Sequence, residues 1–91
     1  MVYELYTVPR CEGCEDVKNF LNGKGISYSV WNLKDRAGSK YFGKVFLQID
    51  GKLKRNISDN KSLLPILIEV NESRSVIRLG QQLNEIKAMF E

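Results

Sequence analysis

The sequence predicts a small α/β domain, residues 1–91, in which a four-stranded mixed sheet is flanked by helices in the order β-α-β-α-β-β-α. Four apolar runs of strand length, alternating or dense, are the first observation behind this prediction. Between and after them, apolar residues recur at three- and four-residue steps, the spacing of amphipathic helices. The third observation is size and composition, since 91 residues with 43% hydrophobic and 27% charged side chains suit one domain with a modest core.

The first part of the chain predicts a strand, a helix and a second strand. "VYELYTV" is rich in β-branched and aromatic residues and is followed by Pro9, which is typical of a strand and its end. Cys14, Val17 and Leu21 then share one helical face, and Gly23 and Gly25 should end the helix. "ISYSVWNL" alternates as the second strand. Two strands joined by a helical crossover are expected to pair in parallel.

A second helix is predicted from about Asp35 to Ile49, ending at the Asp50–Gly51 dipeptide. Its apolar positions recur at helical steps: Ala37, Tyr41, Phe42, Val45, Phe46 and Ile49. A hairpin turning at the same dipeptide is the alternative, because "KVFLQI" also has the composition of a strand. The following "KLKRNISDNKS" is polar and predicts irregular structure.

The last part of the chain predicts a hairpin and a terminal helix. "LLPILIEV" is a dense apolar run, and "SVIRL" is a shorter one. The "NESRS" that joins them is too short for a helical crossover, so these strands should pair antiparallel. Leu83, Ile86 and Phe90 follow at helical steps after Gly80, which predicts an amphipathic helix.

No part of the sequence predicts a leader peptide or a membrane segment. No apolar run approaches the roughly 18 to 20 residues that span a bilayer, and the N-terminus has the pattern of a strand. We therefore expect a cytoplasmic protein, a monomer, with no membrane partner.

Positive charge is concentrated in the middle of the chain. The formal net charge is +3, and eight basic residues stand against three acidic ones between positions 34 and 61. The eight are Lys34, Arg36, Lys40, Lys44, Lys52, Lys54, Arg55 and Lys61. Because no nucleic-acid-binding motif accompanies them, we expect no nucleic-acid partner. We interpret the segment as solvated surface, with docking to an acidic partner as the alternative.

The two cysteines, Cys11 and Cys14, have C-x-x-C spacing where the first strand gives way to the first helix. Backbone N–H groups at a helix N-terminus favour an anion, and the thiolate is the nucleophilic form of cysteine. One sulfur can attack a disulfide, and the other, one turn later, can resolve the mixed disulfide. A metal site is one alternative, although two cysteines and no histidine supply half of the four ligands that zinc takes. Inert buried thiols are the other alternative.

Three stretches resemble the glutaredoxin family: "LYTVPRCEGC", "LLPILIEV" and "RLGQQLNEIKAM". The chain is particularly similar to the small glutaredoxin-like proteins that deliver electrons to ribonucleotide reductase. The resemblance, which spans nearly the whole chain in element order, implies a thioredoxin-like fold and a thiol–disulfide oxidoreductase acting on protein or glutathione mixed disulfides. It implies no bound cofactor, a disulfide-containing protein as substrate, and glutathione or a flavoprotein reductase as the reductant.

Carried over by position, the resemblance implies Cys11 as the nucleophile and Cys14 as the buried resolving thiol. Pro65 would be the family's cis proline opposite the cysteines, and the backbone of Leu64 would pair with the extended substrate. The other expected substrate-binding residues are Arg10, Tyr6, Gly80 and Gln81, with packing in the sheet as the alternative for the tyrosine.

The sequence departs from the family's pattern at the positions that hold glutathione. Val8 stands where the family usually has lysine, and Leu64 replaces the threonine before the cis proline. The family's paired glycines and aspartate reduce to Gly80 with Gln81 and Gln82. We therefore expect the backbone contact to a peptide-like substrate to remain and the side-chain contacts to glutathione to be fewer.

Three acidic residues, Glu12, Glu15 and Asp16, stand close to the first cysteine. Because nearby negative charge disfavours a thiolate, they predict a nucleophile of moderate acidity and a fairly reducing couple. The ordinary preference of helix N-termini for acidic residues is the alternative explanation. The competing function is a redox-inactive binding module, or a dimer that carries a metal or an iron–sulfur cluster on the same scaffold.

Overall fold

The computed structural model describes residues 2–55 and 63–91, and most of the predicted irregular segment therefore lies outside the described residues. The elements are β1 (Val2–Thr7), α1 (Glu12–Gly23), β2 (Ser29–Asn32), α2 (Arg36–Ile49), a short 3-10 helix (Asp50–Lys52), β3 (Ile66–Val70), β4 (Val76–Gln81) and α3 (Gln82–Ala88). The strands form one sheet in the order β2-β1-β3-β4. β1 and β2 are parallel, and the other two pairs are antiparallel. The predicted α/β class, element order and four-stranded mixed sheet are confirmed.

The sheet separates two hydrophobic cores. The core between the sheet and α2 contains Tyr6, Val45, Ile49, Ile66, Ile68 and Val70. The core between the sheet, α1 and α3 contains Leu5, Val17, Leu21, Leu67 and Ile86. Successive strand residues alternate between the two cores, so both faces of the sheet are covered. No helix of the described residues has the length and apolarity needed to cross a membrane.

The end of α1 explains why β2 is shorter than predicted. Gly25 adopts a φ of 70°, and its N–H donates to the Asn22 carbonyl at 3.1 Å. The Ile26 N–H donates to the Leu21 carbonyl at 3.0 Å, and both side chains pack in the same core. This is the hydrogen-bond pattern of a Schellman C-cap. Because Ile26 completes the helix end, the strand begins at Ser29 instead of Ile26.

The helix prediction for α2 is correct, and the hairpin alternative is wrong. The apolar pattern assigned Ala37 to the buried face of the helix, but Ala37 is exposed and Gly38 is buried. A Cβ atom on Gly38 would lie 2.0 Å from the carbonyl oxygen of Asn32. Only glycine therefore allows the first turns of α2 to rest directly on the end of β2.

Two buried glutamates on the central strands were not expected from the sequence. Glu4 on β1 and Glu69 on β3 are 2% and 4% exposed. Arginines from the β3–β4 hairpin pair with them, Arg74 with Glu4 at 3.5 Å and Arg78 with Glu69 at 2.5 Å. Burial raises the pKa of the Glu4 carboxyl, and the opposing effects of Arg74 and of a hydrogen bond from Tyr6 do not cancel the rise.

We expect Gly38→Ala to destabilise the fold by about 2 kcal/mol or more, because the added methyl group would overlap a backbone oxygen. Gly43→Ala on the same helix is the matched control, since a Cβ atom there would meet nothing within 4 Å. The control should raise stability by about 0.5–1 kcal/mol through helix propensity. Urea unfolding followed by circular dichroism measures both, and equal effects would contradict the close contact between α2 and β2.

We expect Glu4→Gln to gain stability relative to the wild type as the pH rises from about 4 to about 7. The folded pKa of Glu4 lies above its ordinary value of 4.5, so ionisation in this pH range disfavours the folded state of the wild type but not that of the variant. Unfolding free energies measured at several pH values test the slope.

Glu85→Gln is the control of opposite sign. A hydrogen bond from Lys54 lowers the pKa of the Glu85 carboxyl, and the backbone N–H of Gln81 lowers it further. Its stabilising contribution is present above the ordinary value of 4.5 and is lost as the pH falls through the folded value. Glu85→Gln should therefore lose stability relative to the wild type as the pH rises towards 4.5, whereas Glu4→Gln gains it as the pH rises above 4.5. Slopes of the same sign in the two variants would contradict the raised pKa of Glu4.

Candidate active site

Cys11 is the N-cap residue of α1, and its Sγ accepts a hydrogen bond from the backbone N–H of Cys14 at 3.1 Å. Cys11 is partly exposed, whereas Cys14 is only 3% exposed. The two cysteines form a disulfide, with their Cα atoms 5.2 Å apart. One sulfur therefore lies at the surface end of the helix, and the other lies beneath it.

The capping geometry distinguishes the two sulfurs chemically. The first N–H groups of a helix have no partner within the helix, and together with the helix dipole they favour negative charge. The Cys11 sulfur already accepts one of these N–H groups, and hydrogen bonds to a charged acceptor are stronger than those to a neutral one. After reduction of the disulfide, Cys11 is thus the sulfur that is both accessible and stabilised as a thiolate.

The Leu64–Pro65 peptide bond is cis and faces the cysteine pair. A Cβ atom on Gly13, which stands between the cysteines in sequence, would lie 3.5 Å from Cδ of Pro65. Pro65 is buried, whereas Leu64 is partly exposed. Among the described residues, Leu64 makes no backbone hydrogen bond through its N–H or its carbonyl. The structure thus brings Gly13, which lies between the two cysteines, next to the cis proline.

An open cleft of about 550 Å³ borders the cysteine pair. Its walls are Thr7, Val8, Pro9, Arg10, Cys11, Cys14, Glu15, Lys18 and Asn32. Neither Leu64 nor Pro65 contributes to these walls. The cleft and the proline, which approaches Gly13, are therefore two separate features near the cysteine pair.

The cleft carries two basic side chains close to the sulfurs. Arg10 is exposed and adopts a φ of 60°, which is uncommon for a residue other than glycine. Lys18 lies 3.4 Å from Glu15, an exposed pair on neighbouring helical turns that contributes little to stability. The predicted place of Arg10 beside the cysteines is consistent with this arrangement. The side chain of Glu12 lies outside the described part of the site, so its predicted influence stays a prediction.

Asn32 and Thr7 line the cleft and were not predicted from the sequence as site residues. The two residues are paired in register where the parallel strands β1 and β2 end. The carboxyl ends of parallel strands meet at one edge of a sheet, and ligands bind outside that edge. This rule, applied to the predicted parallel pair, would have placed Asn32 next to the cysteines.

Gln81, expected to contact substrate, is instead used within the fold. The residue is 2% exposed. Its Nε2 donates to the carbonyls of Lys54 and Leu63 at 2.9 and 3.2 Å, and its Oε1 accepts from the Lys54 N–H at 2.6 Å. Both amide protons are occupied, so this expectation is corrected: Gln81 holds the backbone of Leu63, which leads into Leu64 and Pro65.

The structure also corrects the expectation that Gly80 and Tyr6 bind substrate. A Cβ atom on Gly80 would lie 2.6 Å from Sδ of Met89, so the missing side chain admits α3 to the sheet instead of opening a ligand surface. Tyr6 is fully buried, with its ring 4.9 Å from that of Phe42 and its hydroxyl bonded to Glu4. Packing in the sheet, the alternative given for Tyr6, is the role that the structure supports.

The described residues contain no cluster of three or more histidine, cysteine, aspartate or glutamate side chains that could hold a metal ion. Within this part of the chain, Cys11 and Cys14 are bonded to each other. A metal-carrying form would need to break that bond and draw ligands from elsewhere.

Comparisons with known proteins agree with this geometry. The glutaredoxin family model matches residues 3–45, from β1 into α2. The crystal structure of the thioredoxin-like protein BC3987 is similar with a TM-score of 0.55 and 22% sequence identity, covering 96% of this chain and 97% of that chain. A mutant of the same protein gives a TM-score of 0.56 and 21% identity, with 98% and 99% coverage. No curated protein matches the sequence.

The structural likeness over nearly the whole chain defines the class, a thioredoxin-like α/β protein. The match to the glutaredoxin family model covers β1, α1, β2 and most of α2, which is the part of the fold that carries the cysteine pair. A bonded C-x-x-C pair in this fold indicates thiol–disulfide redox chemistry. The predicted link to ribonucleotide reductase stays a prediction.

We expect Gln81→Ala to destabilise the fold by about 2 kcal/mol, because it leaves backbone groups of Lys54 and Leu63 without their partners. Gln82→Ala is the matched control, since Gln82 is exposed and the change should stay within about 0.5 kcal/mol. Urea denaturation of both variants measures the difference. Equal stabilities would show that the amide contacts of Gln81 contribute nothing to the fold.

Proposed function

We propose that this protein is a thiol–disulfide oxidoreductase that reduces protein disulfides and glutathione mixed disulfides through a dithiol mechanism. Cys11 is the nucleophile and Cys14 is the resolving thiol. The observation that carries the proposal is the pairing of a partly exposed, N-capping sulfur with a buried sulfur in one disulfide. The family match and the cis proline beside the pair support it.

The reaction begins with the reduced protein. The Cys11 thiolate attacks one sulfur of a substrate R–S–S–R′, forms a Cys11–S–S–R mixed disulfide and releases R′–S⁻. Cys14 then loses its proton and attacks the Cys11 sulfur, which forms the internal disulfide and releases R–S⁻. Each released thiolate takes up a proton. Two electrons therefore pass from the protein to the substrate, together with one proton from Cys14 and one from the solvent.

Different residues around the cysteine pair contact the two halves of the substrate disulfide. The half that stays on Cys11 lies along the backbone of Leu64, as an added extended strand would. Leu64 makes no backbone hydrogen bond to any of the described residues. The half that leaves as a thiolate faces the cleft, where the positive charges of Arg10 and Lys18 favour the developing anion. The Cys14 N–H favours the Cys11 sulfur whenever that sulfur carries negative charge.

A thiol reductant, glutathione or a flavoprotein reductase, completes the cycle by reducing the internal disulfide. Fewer side-chain contacts to glutathione are expected, because the Gln81 amide is hydrogen-bonded within the fold and Gly80 is covered by α3. A peptide-like contact to the Leu64 backbone is still available to glutathione. A cytoplasmic location and a monomeric state belong to this proposal as predictions.

We expect Cys11→Ser to abolish reduction of a disulfide substrate, because it removes the attacking sulfur. Cys14→Ser should accumulate a mixed disulfide on Cys11, since the second attack cannot occur. Turnover coupled to glutathione and glutathione reductase, or to a thioredoxin reductase, measures the first effect, and intact-protein mass spectrometry measures the second. Turnover unchanged in Cys11→Ser would rule out the mechanism.

A further inference from the structure

The outer face of α2 carries a row of like charges. Arg36, Lys40 and Lys44 follow one another at four-residue steps, and all three are exposed. We call these three residues the basic stripe. α2 contains no acidic residue along its whole length, Arg36–Ile49. The helix therefore presents uncompensated positive charge along one side.

This arrangement works against the stability of α2. Like charges four residues apart repel each other on a helix surface, and a cation in the first turn opposes the helix dipole. In the part of the chain that the structure describes, residues 2–55 and 63–91, no residue of the basic stripe forms an ion pair. A local arrangement that costs stability with no compensating contact in the fold is typical of a functional surface.

An exposed apolar residue lies within the same face. Leu47 is 88% exposed, the highest value among the large hydrophobic residues exposed in the described chain. At about 100° per residue, Leu47 falls between Arg36 and Lys40 when α2 is viewed along its axis. An apolar side chain surrounded by charged ones is a composition that protein–protein contacts use.

The basic stripe begins next to the cysteine cleft. Gly38, in the first turns of α2, rests against the backbone of Asn32, and Asn32 is one wall of the cleft. Arg10 and Lys18 supply positive charge on the other walls. The stripe lies on the outer face of α2, and its first residue, Arg36, stands in the same turns of the helix that adjoin the cleft wall.

We propose that the basic stripe docks an acidic protein segment that adjoins the disulfide delivered to Cys11. This inference rests on the proposed function, because it assigns the charge of the partner whose disulfide is reduced. Complementary charge raises the rate of encounter and orients the partner before the sulfurs react. Leu47 would add an apolar contact at the far end of the stripe.

A protein partner fits the stripe better than a nucleic acid does. The stripe covers about 12 Å of helix, so it offers few contacts to a phosphate backbone. Single-stranded nucleic acids also stack on exposed aromatic rings, whereas Tyr41 and Phe42 of α2 pack against the core.

The test compares two synthetic peptides of equal length that each contain one intramolecular disulfide. One peptide carries four glutamates beside the disulfide, and the other carries four glutamines. Pre-reduced protein is mixed with each peptide, and the peptide dithiol is quantified by chromatography to give a second-order rate constant. We expect the acidic peptide to react about tenfold faster at low salt, with the preference lost near about 300 mM NaCl.

The variant Lys40→Glu/Lys44→Glu should lose the preference for the acidic peptide and keep its rate with the glutamine peptide. The matched control, Lys24→Glu/Lys87→Glu, changes the net charge equally on the other side of the sheet, where both lysines lie near the Phe20 ring at 5.8 and 5.9 Å. The control should keep most of the preference.

Three outcomes would overturn the inference. The first is equal rate constants for the acidic and glutamine peptides at low salt. The second is an equal loss of the preference for the acidic peptide in both double variants. The third is tight binding of a labelled single-stranded oligonucleotide to the stripe without any peptide preference. Reduction of the uncharged 2-hydroxyethyl disulfide tells the two proposals apart. If the protein reduces this compound but shows no peptide preference, only the docking of an acidic segment on the basic stripe is contradicted. If it reduces no disulfide at all, the proposed function is contradicted, and the docking proposal with it.

Discussion

The hydrogen bond from the Cys14 N–H to the Cys11 sulfur, at the start of α1, is the interaction on which the proposed redox chemistry depends. It places Cys11 at the N-cap of α1, where the helix has N–H groups to offer and the side chain still reaches the surface. The same helical turn carries Cys14 inward to a position that is 3% exposed. Cys11 is therefore both the more exposed sulfur and the one that accepts a backbone N–H, and the proposed order of attack and resolution rests on this difference.

Other parts of the fold hold the groups that surround the pair. The Gln81 amide joins the backbone of Lys54 and Leu63, and the Gln82 N–H donates to the Pro65 carbonyl at 2.8 Å. The chain that leads into the cis proline is thus fastened to the end of β4. The close contact between Gly38 and Asn32 holds α2 against one wall of the cleft.

The element order was predictable because its signals are local. Strand alternation, helical spacing and the glycines after α1 each lie within a few residues, and the structure follows them closely. Because glycine has no side chain, it does not contribute to an apolar pattern, and the exposed Ala37 was predicted to be buried instead of Gly38. The role of Gln81 depends on Lys54, 27 positions away in sequence, which no local pattern reveals. Burial of Tyr6 likewise depends on the helix that packs above it, through Phe42.

Alkylation of the reduced wild-type protein tests the central claim most directly, because it compares the two sulfurs in the same molecule. A short pulse of iodoacetamide at neutral pH, followed by digestion and mass spectrometry, gives the rate at each cysteine. We predict that Cys11 reacts at least about tenfold faster than Cys14, since only Cys11 is both partly exposed and in contact with a backbone N–H that favours a thiolate. Equal rates, or faster reaction at Cys14, would contradict the assignment of the nucleophile.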